Sequence, residues 1–273
     1  MQSNQLMKKF AIVAFGVLIV STAGPALASS SQWFETDGAR IRLITTGKAD
    51  AEGRLIGALD IDLKPGWKTY WRDPGDAGVP PQIDISSSRN IAAAEFQFPA
   101  PQRHDDGYNK WAGYDHPLVL PVVFTLASAN EPAAIEAGIF LGVCEEICIP
   151  VQANLSVDPE ADPYNPGDAA IIETALANLP GLEQPDFGVT LLPEETDTML
   201  VEASFPGDAD SVDFFVAAAD GYSFAAPVRV EKDGKLFFSV PVLERPAEPP
   251  AGGKLHYTLV TGSGAVSGLL PYP

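Results

Sequence analysis

The sequence predicts an all-β protein of two sandwiches in series, on three observations. Its apolar residues fall in short runs, many alternating with polar ones, as half-buried strands require. Turn formers interrupt those runs throughout, with 25 Pro and 24 Gly in 273 residues. A helical pattern does not interrupt residues 30–158 and occurs once after them, at 168–179.

Taken in order, the chain begins with a leader. Lys8 and Lys9 precede the apolar run 10–20, and Ala26-Leu27-Ala28 offers an A-x-A cleavage site, so residues 1–28 are read as a signal peptide for export to the periplasm. The run is shorter than the about 20 residues of a bilayer span, so no membrane anchor is expected after cleavage. Strands are expected at 39–45 and at 55–63, where Leu59, Ile61 and Leu63 share one face against Asp60 and Asp62. Lys64-Pro65-Gly66 turns the chain into an aromatic strand, 67–71, which Asp73-Pro74-Gly75-Asp76 ends. Strands at 83–85, 94–98, 118–126 and 135–143 follow, while 102–116, polar and aromatic between prolines, reads as a surface loop. The breakers Asp158-Pro159, Asp162-Pro163 and Asn165-Pro166-Gly167 close this unit, giving a first domain of 29–158. A linker, 159–186, carries the short helix, with Asp168 as its expected N-cap and Ile171, Ile172, Ala175, Leu176 and Leu179 as its apolar stripe. A smaller sandwich, 187–273, is expected to hold strands at 188–192, 199–205, 212–217, 228–231, 236–242 and 255–260, with Asp233-Gly234 as a hairpin turn.

Several functions are excluded. A formal charge of −19 leaves no basic face for nucleic acid or for an anionic membrane surface. His104, His116 and His256 lack metal-ligand spacing and read as polar surface or hydrogen-bonding residues, so neither metal nor other cofactor is expected. The glycine-rich run 262–268 has no following helix to receive a phosphate.

Both cysteines lie in Gly142-Val143-Cys144-Glu145-Glu146-Ile147-Cys148-Ile149-Pro150, between two apolar runs, which reads as a strand pair joined by a tight acidic turn. Cysteines facing each other across such a turn can reach the Cα separation of about 5.5 Å that a disulfide prefers, and an exported chain would keep them oxidised. So short a loop stabilises by only about 2 kcal/mol in the chain-entropy picture, which makes it an inefficient staple. The residues alone leave a structural bridge and a redox-active pair both open.

The surrounding motifs go further. Leu141 to Pro150, Leu-Gly-Val-Cys-Glu-Glu-Ile-Cys-Ile-Pro, resembles the redox hairpin of the N-terminal periplasmic domain of the thiol–disulfide interchange protein DsbD, and more closely its ScsB-type relatives. The stretch 66–78, Gly-Trp-Lys-Thr-Tyr-Trp-Arg-Asp-Pro-Gly-Asp-Ala-Gly, is similar to the same family, as are Phe98-Pro99-Ala100-Pro101, Arg103-His104-Asp105-Asp106-Gly107-Tyr108 and Gly113-Tyr114. The resemblance spans about residues 30–158. It implies an immunoglobulin-like first sandwich with Cys144 and Cys148 as the exchanging pair, and Tyr70 and Trp71 near them. It also implies a cap loop over the sulfurs, here containing Asp105, Asp106, Tyr108 and Trp111. The family's Phe-Tyr pair is reduced to Tyr108, so Tyr108 or Trp111 is left to cover the disulfide. The family's usual assignment of the mixed disulfide to the second cysteine falls on Cys148.

Glu145 and Glu146 sit between the cysteines, and no Lys, Arg or His lies within five residues of either. Negative charge disfavours a thiolate, so the expected thiol pKa values lie at or above the ordinary one, as suits an electron donor. The multi-helix membrane domain and thioredoxin-like domain that complete DsbD do not occur in this sequence. The expected partners are therefore thioredoxin-like periplasmic proteins and a membrane electron donor on a separate chain. The competing reading is a non-catalytic interaction module with a permanent disulfide.

Overall fold

The computed structural model describes residues 29–75, 78–105, 107, 110–193, 197–217, 221–248 and 252–272. The expected leader lies outside them, as do Asp106 and Tyr108 of the expected cap. Among the described residues the fold is all-β apart from one α-helix and one 3-10 turn.

In chain order the first unit comprises β1 (Phe34–Glu35), β2 (Ala39–Ala49), β3 (Arg54–Leu63), β4 (Thr69–Gly75), β5 (Gln82–Asp84), β6 (Ile91–Phe96), β7 (Gln102–Asp105), β8 (Lys110–Tyr114), β9 (Leu118–Leu126), β10 (Ile135–Cys144) and β11 (Cys148–Val157). They form sheets ordered β1-β2-β3-β9-β6, β11-β10-β5 and β4-β8-β7. Alternation explains the layers. On β10, Ile135, Ala137, Ile139, Leu141 and Val143 enter a core with Ile41, Leu59, Leu120 and Phe124 of the five-stranded sheet. Period two sends Gly142 and Cys144 to the opposite face of β10, and there the small sheet β4-β8-β7 covers them.

The helix α1 (Pro166–Ala177) docks on the outer face of the five-stranded sheet, with Ile172 packed against Ile44 and Ala58. Its cap is Asn165 rather than Asp168. Asn165 Oδ1 accepts from the N–H groups of Gly167 and Asp168 at 3.0 and 3.1 Å, and Pro166 takes the first helical position, where no N–H is needed. Asp168 is instead buried inside the first turn, accepting from Ser29 Oγ at 3.3 Å and lying 3.6 Å from the Arg42 guanidinium.

The second unit comprises β12 (Gly181–Leu182), β13 (Gly188–Leu192), β14 (Thr198–Ser204), β15 (Asp213–Ala217), β16 (Ser223–Phe224), β17 (Val228–Lys232), β18 (Lys235–Glu244), β19 (Lys254–Thr261) and β20 (Gly264–Pro271). One sheet runs β12-β20-β19-β15, the other β13-β14-β18-β16 with β17 also paired to β18. Asp233 and Gly234 join β17 to β18 with φ of 53° and 74°, the positive pair a type I′ turn needs. The glycine-rich run is a turn followed by β20, with Thr261 opposite Gly264. On β15, Phe214 and Val216 enter this unit's core, whereas Phe215 and Ala217 belong to the core of the first. No helix among the described residues is long and apolar enough to cross a membrane.

Candidate functional site

Cys144 ends β10 and Cys148 begins β11, directly opposite each other, with Glu145-Glu146-Ile147 as the turn. Their Cα atoms are 4.0 Å apart, nearer than expected because the pair closes the hairpin end, and a disulfide joins them. Burial separates the two: Cys144 is 0% exposed, while Cys148 is exposed along with Glu145, Glu146 and Ile147.

Three contacts hold Lys68 and the first residue of β4 to this end of β10. The N–H of Lys68 donates to Cys144 O at 2.8 Å, the N–H of Cys144 donates to Lys68 O at 2.9 Å, and Thr69 Oγ1 donates to Gly142 O at 2.9 Å. Tyr70 follows, and its hydroxyl donates to Cys144 Sγ at 3.0 Å and lies 3.2 Å from Cys148 Sγ. The ring needs a slot, which two glycines provide. A Cβ on Gly142 would stand 3.2 Å from the Tyr70 ring, and one on Gly78, whose φ is +133°, would stand 2.5 Å from it. Trp71, the next residue, points to the other side by strand alternation. Its ring meets Phe215 at 5.8 Å, and its buried Nε1 has no hydrogen-bond partner among the described residues. Of the two aromatics expected near the sulfurs, Tyr70 touches them and Trp71 faces the second unit.

The segment read as a polar loop contributes two strands, β7 and β8, because β4 offers a pairing edge: Thr69 opposes Tyr114 and Tyr70 opposes Gly113. Trp111 on β8 forms a buried cluster with Tyr70 and Cys144, its ring edge-on to Tyr70 at 5.8 Å and 79°. His104 opposes Trp111 across the hairpin and stacks on it at 3.8 Å and 7°. Read from sequence as polar surface, His104 is half-buried, and its Nε2 lacks a hydrogen-bond partner among the described residues. Burial pushes its pKa below the ordinary value; Lys68 and His116 act in the same direction and Asp115 against it. Asp105 shapes the turn, accepting from the N–H of Gly107 at 2.9 Å and standing 3.9 Å from Lys110 Nζ.

Counting charges along the chain missed Lys68. It is 76 residues before Cys144 in number only: the backbones are bridged, and the ammonium lies 4.6 Å from the centre of the Trp111 ring. The detectable signal was spacing, since Lys68 and Tyr70 are two apart on one strand and share a side.

Residues 42–159 match the family described as thiol:disulfide interchange protein DsbD, N-terminal. Among curated proteins, none matches the chain by sequence. Among solved structures, the N-terminal periplasmic domain of ScsB from Proteus mirabilis is similar with a TM-score of 0.71 at 20% identity, over 90% of this chain and 100% of that one. At that identity the likeness speaks to fold, which it extends beyond the matched segment. The segment that matches the DsbD N-terminal family, residues 42–159, is the part of the chain that holds Tyr70, Trp111 and both cysteines.

Proposed function

We propose that the chain is a periplasmic thiol–disulfide exchange protein, relaying reducing equivalents through Cys144 and Cys148 to or from thioredoxin-like partners. The observation that carries this reading is the unequal access to the two sulfurs: Cys148 is exposed, and Cys144 is buried beneath a hydroxyl 3.0 Å away. A thiolate of a reduced partner attacks Cys148 Sγ, the Cys144–Cys148 bond breaks, and Cys144 leaves as a thiolate. The partner's second thiol then breaks the mixed disulfide. The partner ends oxidised, and this pair ends as a dithiol that has gained two electrons and two protons. The reverse sequence passes those electrons to a partner disulfide. Tyr70 Oη is placed to donate to the leaving sulfur, which opposes the effect of the acidic turn. In this reading residues 29–158 form the redox unit, 159–186 the connection, and 187–273 a second unit. A membrane electron donor on a separate chain supplies the electrons.

Equilibrating the protein against thioredoxin-like couples tests this. A potential between about −270 and −120 mV is expected of a working exchange pair. A value below about −300 mV is that of a structural bridge and would replace the relay with an interaction module.

A further inference from the structure

The hairpin of β7 and β8, whose Trp111 covers Cys144, is held from two sides. One side is its pairing with β4. The other is a single arginine. Arg103, on β7 next to His104, reaches across to β15 of the second unit: Nε and Nη2 lie 3.0 and 3.1 Å from the two carboxylate oxygens of Asp213, a forked pair. Nη2 also donates to Phe214 O at 2.8 Å, and the guanidinium carbon stands 4.5 Å from the centre of the Phe215 ring. Both ionic side chains are partly buried, 28% and 36% exposed, so solvent screens them less than an open surface pair. We propose that Arg103 and Asp213 are a latch by which the second sandwich holds the hairpin closed over Cys144, setting how often the buried side of the disulfide is reached.

The contacts form one short series. Asp213 fixes Arg103, the neighbouring His104 stacks on Trp111, and Trp111 packs on Tyr70 and Cys144. Arg103 touches no sulfur, so it is a positioning residue. The exchange reading gives the latch its purpose, but the latch can be measured without it.

The experiment compares the rate at which excess dithiothreitol reduces the disulfide in the full chain, in Arg103→Met, in Asp213→Asn and in the charge-exchanged double variant Arg103→Asp/Asp213→Arg. Loss of a partly buried ion pair shifts an opening equilibrium by about fivefold, so each single variant should be reduced about fivefold faster. The exchanged pair should return most of that. Because the latch acts on access in both directions, the equilibrium potential of the single variants should equal that of the parent. Leu259→Ala, in the second core, controls for general loosening. Parent-like rates in both single variants overturn the latch. So does an acceleration that Leu259→Ala reproduces at equal loss of thermal stability, or one accompanied by a shifted potential. A parent potential below about −300 mV would remove the exchange reading and leave the rate comparison intact.

Discussion

Two hairpins of this molecule differ in how their outer faces are used. The β17–β18 hairpin turns through Asp233 and Gly234, and a Cβ on Gly234 would meet nothing within 4 Å. The β10–β11 hairpin also sends one face into a core, but its other face is roofed by Tyr70 and Trp111. In the first, side-chain positions at the turn face solvent. In the second, a sulfur is withdrawn from solvent at the closed end while its partner stays outside. Local hairpin chemistry is common to both, so the difference comes from the covering sheet, and the covering sheet is where reactivity can be altered.

The largest expected effect removes one sulfur. Cys144→Ser should accumulate a mixed disulfide through the exposed Cys148 in periplasmic extracts, seen as a reducible mass increase; Cys148→Ser should not. Equal trapping by both variants would contradict the assignment drawn from burial. Next are the glycines. Gly142→Ala forces a Cβ against Tyr70 and Val79 at 3.2 Å, and should cost about 2 kcal/mol in urea unfolding and speed reduction of the disulfide. Gly234→Ala should cost about 1 kcal/mol, from its positive φ alone, and leave that rate unchanged. Removing the roof by Trp111→Ala should speed reduction by a small thiol up to about tenfold, the loss of an aromatic contact of up to about 1.5 kcal/mol. An unchanged rate would show that Trp111 does not shield the sulfurs.

The smallest effect depends on pH. His104 is harder to protonate with the hairpin closed than when exposed, where its pKa is about 6.5. As pH falls through about 6.5 the open form takes up a proton that the closed form resists, so closure weakens toward acid and is fully retained above that value. Reduction by a phosphine should therefore quicken a few-fold between about pH 7 and 5, and His104→Gln should flatten the profile.

Much of the framework could be read from residue patterns. Leu59, Ile61 and Leu63 alternate, and all three are buried in the first core. The cysteines announced their hairpin, and Asp233-Gly234 its turn. The roof was hidden because 102–105 and 110–114 have no clean period; those strands exist by pairing with β4, a contact distant in sequence. The helix cap was displaced because Asn165 and Pro166 together outcompete Asp168, whose carboxylate is engaged by Ser29 and Arg42. Strand β20 was missed because its glycines resemble a loop. Lys68, His104 and Arg103 acquire their neighbours only through tertiary packing.

Strand β15 carries a consequence for how the molecule comes apart. Its side chains are divided, Phe214 and Val216 to one core and Phe215 and Ala217 to the other, so melting either sandwich strips apolar cover from its neighbour. The two should therefore share one thermal transition in calorimetry, with equal calorimetric and van't Hoff enthalpies. Phe215→Ser should divide that peak in two, turning one cooperative body into a pair of independently melting halves.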